Sequence, residues 1–265
     1  MIFRTLLAAI ALSTPLLASD LDHVFVKHKE IAPKETYSQI NIGPTYQRYQ
    51  LEADGIGEFH GYTWGGNASY EYSIPKGVYI NLGISAGAGD LNSVVGTSTI
   101  SQIEFLYSQK IGLNFSWGRK KMHTFTPFIG FEYLWWRQHL AITDFELLRY
   151  TYVKPYLPFG FKCNLYANKH LSFGINYTYL FAIVTYLEID VTIGSKWFLD
   201  RKNDELLEFP VTLKIRDWLH ATATPFYRSV KMGASTAVTD RGLSLGIQPE
   251  SYQIWGGKID VTLRF

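Results

Sequence analysis

The sequence predicts an all-β protein: a closed, antiparallel, up-and-down transmembrane β-barrel of about ten strands, with eight or twelve as the alternatives. Three observations lead there. Long segments alternate apolar and polar residues with period two, aromatic residues gather at both ends of the apolar faces, and beyond the amino terminus no apolar run reaches the roughly 18 residues of a spanning helix.

Residues 62–74 carry the pattern clearly. Tyr62, Trp64, Gly66, Ala68, Tyr70, Tyr72 and Ile74 share one face, while Thr63, Gly65, Asn67, Ser69, Glu71 and Ser73 share the other. In 103–117 the apolar face holds Ile103, Phe105, Tyr107, Ile111, Leu113, Phe115 and Trp117. Such runs exceed the five or six residues of an ordinary soluble strand and suit a tilted strand crossing a bilayer. Tyr62 to Tyr72 spans roughly 25 Å after tilting, the height of the apolar band in such barrels, with amphipathic rings at both interfaces.

The same test predicts strands near 36–49, 59–74, 78–90, 99–117, 123–137, 149–167, 170–186, 205–216, 219–232 and 251–265. Tight turns fall at Pro75-Lys76-Gly77, Gly118-Arg119-Lys120-Lys121, Asn168-Lys169-His170 and Asp217-Trp218. Longer connections fall at 50–58, 91–98, 138–148, 187–204 and 233–250. This asymmetry predicts short turns in the periplasm and long loops outside, with an even strand count leaving both chain ends in the periplasm. Residues 187–199 also alternate, which keeps twelve strands open, but a β-extended fourth loop fits the short turn at 217–218 better.

Composition agrees with a membrane location. Aromatics make up 16% of the 265 residues and charged residues 18%, against about 25% charged in soluble domains. A net charge of +2 argues against nucleic-acid binding. The single cysteine, Cys163, excludes an internal disulfide framework, and its outward parity makes it a small lipid-facing residue. Arg4, the apolar stretch Leu6–Leu12 and the break before Leu16-Leu17-Ala18 predict a cleaved signal over 1–18. Residues 19–35 are then a periplasmic segment and 36–265 the barrel.

At the carboxy terminus Trp255, Gly257, Ile259, Val261, Leu263 and Phe265 alternate with Gly256, Lys258, Asp260, Thr262 and Arg264. This resembles the terminal signature of bacterial outer-membrane proteins, in which alternate apolar residues and a final aromatic are read by the barrel-assembly machinery. The resemblance implies that Phe265 is the assembly signal. Residues 155–181 also resemble the strand-turn-strand hairpins of small opacity- and porin-like barrels. Omptin-type proteases resemble this chain in having ten strands. Yet His60, His139, Asp90, Asp144 and Asp190 show none of the paired acidic or Asp-His spacing that those proteases need. His123, His170 and His220 read as solvated turn residues. No catalytic, metal or cofactor residue is assigned.

Parity directs Glu71, Glu104, Glu132, Glu208 and Asp260 into the lumen, with Lys110, Lys154, Lys162, Lys214, Arg216, Arg228 and Lys258. Such a set either pairs into a plug or lines a thin water path, and ten strands lie close to the filled end of the range. The expected function is therefore a narrow, weakly conducting pore or a structural envelope protein. The alternative is a surface-binding barrel using loops 138–148 and 187–204 toward a host or cell-surface ligand, and a rim enzyme comes third. Arg48, Arg137, Arg149 and Lys231 carry outward parity at the extracellular strand ends, where they suit phosphate groups of lipopolysaccharide. The expected partners are outer-membrane lipid, lipopolysaccharide and the assembly machinery.

Overall fold

A sheet with lipid on one face must close on itself, because an open edge would leave unpaired amides and carbonyls in hydrocarbon. The computed structural model describes residues 36–53, 57–94, 96, 98–117, 123–142, 145–189, 195–235, 238–240, 243–245 and 248–265. The expected signal and leader, 1–35, lie outside the described residues, as do Asp144 and Asp190. The strands are β1 (Tyr37–Ala53), β2 (Gly57–Ser73), β3 (Val78–Ser93), β4 (Ser98–Leu113), β5 (Phe115–Trp117), β6 (His123–Ile142), β7 (Phe145–Tyr166) and β8 (Leu171–Ala182). They continue with β9 (Thr185–Ile189), β10 (Ser195–Leu199), β11 (Asp204–Glu208), β12 (Val211–Lys214), β13 (Leu219–Met232), β14 (Val238–Asp240), β15 (Leu243–Leu245) and β16 (Glu250–Arg264).

Ten antiparallel staves close the ring, in the order β1, β2, β3, β4, β6, β7, β8, β11 with β12, β13 and β16, which returns to β1. β5 continues β4 against β6. β11 and β12 form one stave in unbroken register, parted where Pro210 lacks a donor. There Phe209 N–H donates to Pro225 O (2.9 Å) and Gly174 N–H to Pro210 O (2.7 Å), so the wall stays stitched. The turn at Pro75–Gly77 places Lys76 at φ 59°, the left-handed region a tight hairpin demands. At Gly65 a Cβ would fall 2.0 Å from Ala86 O, so only glycine permits that close strand contact.

The outer face is the expected apolar belt, with Ile42, Ile84, Ile103, Ile129, Phe159 and Ile259 among its exposed residues. Toward the loop end, Tyr46 packs on Trp64 (4.7 Å) and Tyr227 on Trp255 (4.5 Å), forming part of an aromatic row.

The strands run further at the loop end than alternation indicated. Most of 138–148, expected as a loop, is strand: β6 reaches Ile142 and β7 starts at Phe145, although the side chains of 142–148 lie outside the description. The 187–204 loop is β-extended as expected, through the β9–β10 hairpin. Between β8 and β9 the register on β7 slips by one, from Tyr156↔Ala182 to Val153↔Tyr186. That slip exchanges faces. Leu180 and Ala182 point inward below it, and Leu187 points inward above it. Asn203 holds the bend, its Oδ1 accepting from Ala182 N–H at 3.1 Å. The apolar inner face of the hairpin, with Leu187 and Leu199, thereby joins the core.

The belt locates the bilayer on a single strand. Ile84 stands mid-belt opposite Ala68, whereas Asn92 shares its outward parity near the loop end of β3. Ile84→Lys should therefore lower unfolding stability in lipid vesicles by roughly 2–4 kcal/mol, and Asn92→Lys by about 1 kcal/mol at most. Equal losses at the two positions would misplace the membrane.

Candidate functional site: a layered lumen

Inward residues from every stave fill the loop half of the barrel and leave the turn half hollow. Just above mid-height, β13 presents Arg228 toward two carboxylates, Glu132 of β6 at 3.5 Å and Glu104 of β4 at 4.0 Å. Tyr49 OH of β1 donates to Glu104 Oε2 at 2.9 Å. Lys154 of β7 pairs with Asp204 of β11 at 2.8 Å, and both side chains are completely buried. Lys154 also donates to Lys231 O (2.6 Å), while Lys231 N–H donates to Asp204 Oδ1 (3.0 Å). Tyr156 OH bonds the other oxygen of Asp204. The ion pair thus satisfies the main chain of β13 where its ladder with β11 has stopped at Ser229.

Above the charges lies a polar chain. Trp136 Nε1–H donates to Gln102 Oε1 (3.1 Å), as does Gln138 Nε2 (3.2 Å). Gln138 Oε1 meets Tyr252 OH at 3.1 Å. Glu250 Oε2 lies 2.6 Å from Tyr252 OH and 2.9 Å from Tyr152 OH. Leu51, Phe59, Leu91, Ile100, Leu140 and Met232 pack around this chain. The loop half is a packed core with polar rungs.

The turn half holds a cavity of about 270 Å³, lined by Tyr37, Tyr79, Lys110, Lys162, Asn176 and Lys258 among others, with Tyr166, His220 and Arg264 near the turn end. Its charges are largely paired: Lys162 with Glu71 (2.7 Å) and Lys258 with Glu208 (2.8 Å). Lys110 stands 5.0 Å from the Phe128 ring centroid, and Asp260 lines the same cavity.

Parity misjudged several residues. Lys214 and Arg216, expected in the lumen, belong to the turn end. Lys214 pairs with Asp217 across the turn at 2.5 Å, and Arg216 is exposed with its guanidinium 5.9 Å from the Trp218 ring centroid. β12 ends at Lys214, so alternation stops applying there. The Lys214 hydrogen bond and charge hold the Asp217 carboxyl below the usual carboxylate range. His123 and His220 are buried at the starts of their strands, whereas His170 is exposed. His60 and His139 lie on strands β2 and β6. Sequence reasoning missed Asp204, Glu250 and the Gln102–Gln138 pair. Asp204 follows the face exchange that alternation cannot see, and Glu250 fell inside a predicted loop.

Outside, Arg48, Arg137, Arg149 and Lys231 are exposed. Arg48 stands opposite Tyr62 and Trp255. Arg137 lies 5.1 Å from the Trp135 ring and one diagonal step from Arg149, which pairs with His139. Phe265, 70% exposed, exchanges backbone hydrogen bonds with Ser38. Glu58 and His60 meet at 2.7 Å near the loop end of β2. Among the described residues, no group of three His, Cys, Asp or Glu is placed to hold a metal.

This combination of closed antiparallel ring, lipid-facing belt and polar lumen defines an integral outer-membrane β-barrel. A solved structure shares the fold. The outer-membrane protease OmpT from Escherichia coli aligns with a TM-score of 0.52 at 6% identity, over 90% of this chain and 99% of that one. The translocator domain of the autotransporter NalP from Neisseria meningitidis gives 0.49 at 9%, over 97% of each chain. Ail, the attachment invasion locus protein of Yersinia pestis, gives 0.37 at 10%, over 87% of this chain and 99% of that one. No protein-family model matches the sequence, and no curated protein matches it. The chain is an envelope barrel by fold.

The buried pair makes a double-mutant prediction. Lys154→Met or Asp204→Asn alone should cost about 3–5 kcal/mol of unfolding stability, because each leaves a charge or its partners uncompensated. The double variant should recover a large part of that loss. Strictly additive losses would mean that the two side chains act independently.

Proposed function

We propose that the protein is a closed structural barrel of the outer membrane, sealed toward the outside and hollow toward the periplasm, and that it conducts little or no current in this state. The observation that carries the reading is the stacking of two buried charge clusters and an apolar core across the loop half, with the turn-half cavity ending against Glu132 of the lower cluster. Ten staves lie near the filled end of barrel sizes, which supports the same view. The asymmetry of turns and long connections supports a periplasmic turn end. A catalytic role is not part of the reading. Among the described candidates, His60 and Asp90 are diagonal neighbours on β2 and β3, and His139 of β6 lies beyond Ser101 of β4, all with outward parity on the lipid-side face rather than in the lumen. Phe265, at the end of the alternating β16, is read as the assembly signal.

Refolded protein in planar bilayers should give a quiet baseline. Removing both carboxylates beside Arg228, by Glu104→Gln with Glu132→Gln, should produce intermittent small currents as that layer loosens. A sustained ohmic conductance from the unaltered protein would contradict the closed-barrel reading.

A second reading concerns the outer rim. We infer that Arg137 and Arg149, diagonal neighbours beside Trp135, hold a phosphate of lipopolysaccharide, with Arg48 and Lys231 at further rim positions. The double change Arg137→Gln and Arg149→Gln should then weaken lipopolysaccharide co-purification and the thermal stabilisation it gives. Arg216→Gln, at the opposite end, should leave both intact. Equal loss in both proteins, or none in either, would return the rim cations to ordinary solvated charges.

A further inference from the structure

The polar chain in the loop half has a direction, and one residue sets it. An indole N–H can only donate. Trp136 Nε1–H therefore fixes Gln102 Oε1 as the acceptor at 3.1 Å. The Gln138 group facing that oxygen must be its amide nitrogen (3.2 Å), which turns Gln138 Oε1 toward Tyr252. Tyr252 has one hydroxyl hydrogen, and Gln138 Oε1 at 3.1 Å requires it. The 2.6 Å contact between Tyr252 OH and Glu250 Oε2 then has no hydrogen left unless the carboxyl supplies one. Flipping Gln102 sets a donor against the indole, and flipping Gln138 alone leaves two acceptor oxygens face to face.

The surroundings of Glu250 agree. Its cross-strand partners are Ala53 of β1 and Met232 of β13. Facing it across the lumen are Tyr150 and Tyr152 of β7, Gln138 and Trp136 of β6, and Gln102 of β4, with Tyr252 on its own strand. The nearby charges Glu52 and Lys231 are exposed at positions of outward parity. Among the described residues, the titratable groups facing Glu250 are therefore tyrosines, and no cation balances a carboxylate there. A neutral carboxyl completes the chain, whereas a charged one would be buried without a counter-ion.

We propose that Glu250 carries its proton in the closed barrel and acts as a latch, its ionisation at raised pH loosening the loop-end closure. β16 begins at Glu250, directly after the long 233–249 connection, and Tyr152 ties that point to β7 across the lumen. Losing the proton forces Tyr252 to choose between Glu250 and Gln138, which breaks the chain from Trp136 to β16. The inference rests on the closed-barrel reading only for its consequence in conductance. The protonation state stands separately.

The sign of the pH dependence follows from linkage. An unfolded glutamate ionises near pH 4.3, whereas the native one keeps its proton, so the native state binds more protons. Stability is full below the unfolded value and falls as pH rises, until the native carboxyl itself ionises. Glu250→Gln mimics the uncharged acid, since an amide nitrogen in the place of Oε2 has hydrogens for both the Tyr252 and the Tyr152 hydroxyl. Unfolding of detergent- or vesicle-embedded full-length protein between about pH 5 and about pH 9 is the test. Relative to Glu250→Gln, the unaltered barrel should lose up to about tenfold in its folding equilibrium per pH unit. Its bilayer recordings should grow noisier with pH while those of the variant stay unchanged. Trp136→Phe removes the donor that sets the direction and should flatten the pH slope. Independent of any variant's folding, infrared spectra of the native barrel should show a protonated-carboxyl C=O band at neutral pH that is missing in Glu250→Gln. A stability difference that stays constant with pH, or the absence of that band, would overturn the latch. Quiet recordings at every pH with the band present would retain the proton and remove the gating role.

Discussion

The contact between Lys154 and Asp204 ties together three staves that the sheet alone does not. β11 stops pairing with β13 at Ser229, leaving the Lys231 amide and carbonyl inside a wall that has lost its ladder. Asp204 takes the amide, Lys154 takes the carbonyl, and the two neutralise each other at 2.8 Å. Buried pairs are expensive to desolvate and add little net stability compared with a well-packed apolar alternative. Here the same two side chains also satisfy backbone groups that an apolar replacement would strand. This explains why a charge pair occupies that layer of the lumen.

From this layer the two halves of the barrel diverge. Toward the loop end, the face exchange in β8–β9 and again before β11 turns Leu187 and Leu199 inward, so the hairpin closes over aromatic and aliphatic side chains. Toward the turn end, short polar residues such as Ser69, Ser108 and Thr222 leave space that large ones would fill. The lumen is thus filled in the loop half and hollow in the turn half. Staves such as β1, β2, β6, β7 and β13 run through both halves.

Much of this was legible in the sequence. Period-two alternation gave the ten staves and the inward parity of Glu71, Glu104, Glu132, Lys154, Lys162, Glu208 and Lys258, because a strand's side chains obey its pleat wherever the strand is regular, while the expected turn at 118–121 lies outside the described residues. Alternation fails where regularity does. Lys214 ends its strand and Arg216 lies beyond it, so parity had no meaning there. Asp204 and Glu250 sit just past irregular segments, one after a face exchange and one after a long connection. Both were read as loop although their side chains are buried. The partners of the lumen charges were not legible either. Parity states which way a side chain points, but which carboxylate meets Arg228 depends on the stagger of staves around the ring. The β9–β10 pair was expected as β-structure, and its inward packing was hidden by a one-residue slip.

In the closed barrel proposed above, water reaches the lumen from the turn end only as far as the charged layer. Thiol accessibility tests it directly, using Ser108→Cys and Thr222→Cys in the cavity and Val230→Cys in the loop-half core, each in a Cys163→Ser background. A small impermeant thiol reagent should modify the two cavity positions in permeabilised envelopes and neither of them from outside on intact cells. Val230→Cys should resist from both sides until the barrel is unfolded. Modification of Ser108→Cys or Thr222→Cys on intact cells at a rate comparable with that in permeabilised envelopes would mean that the lumen is open from end to end.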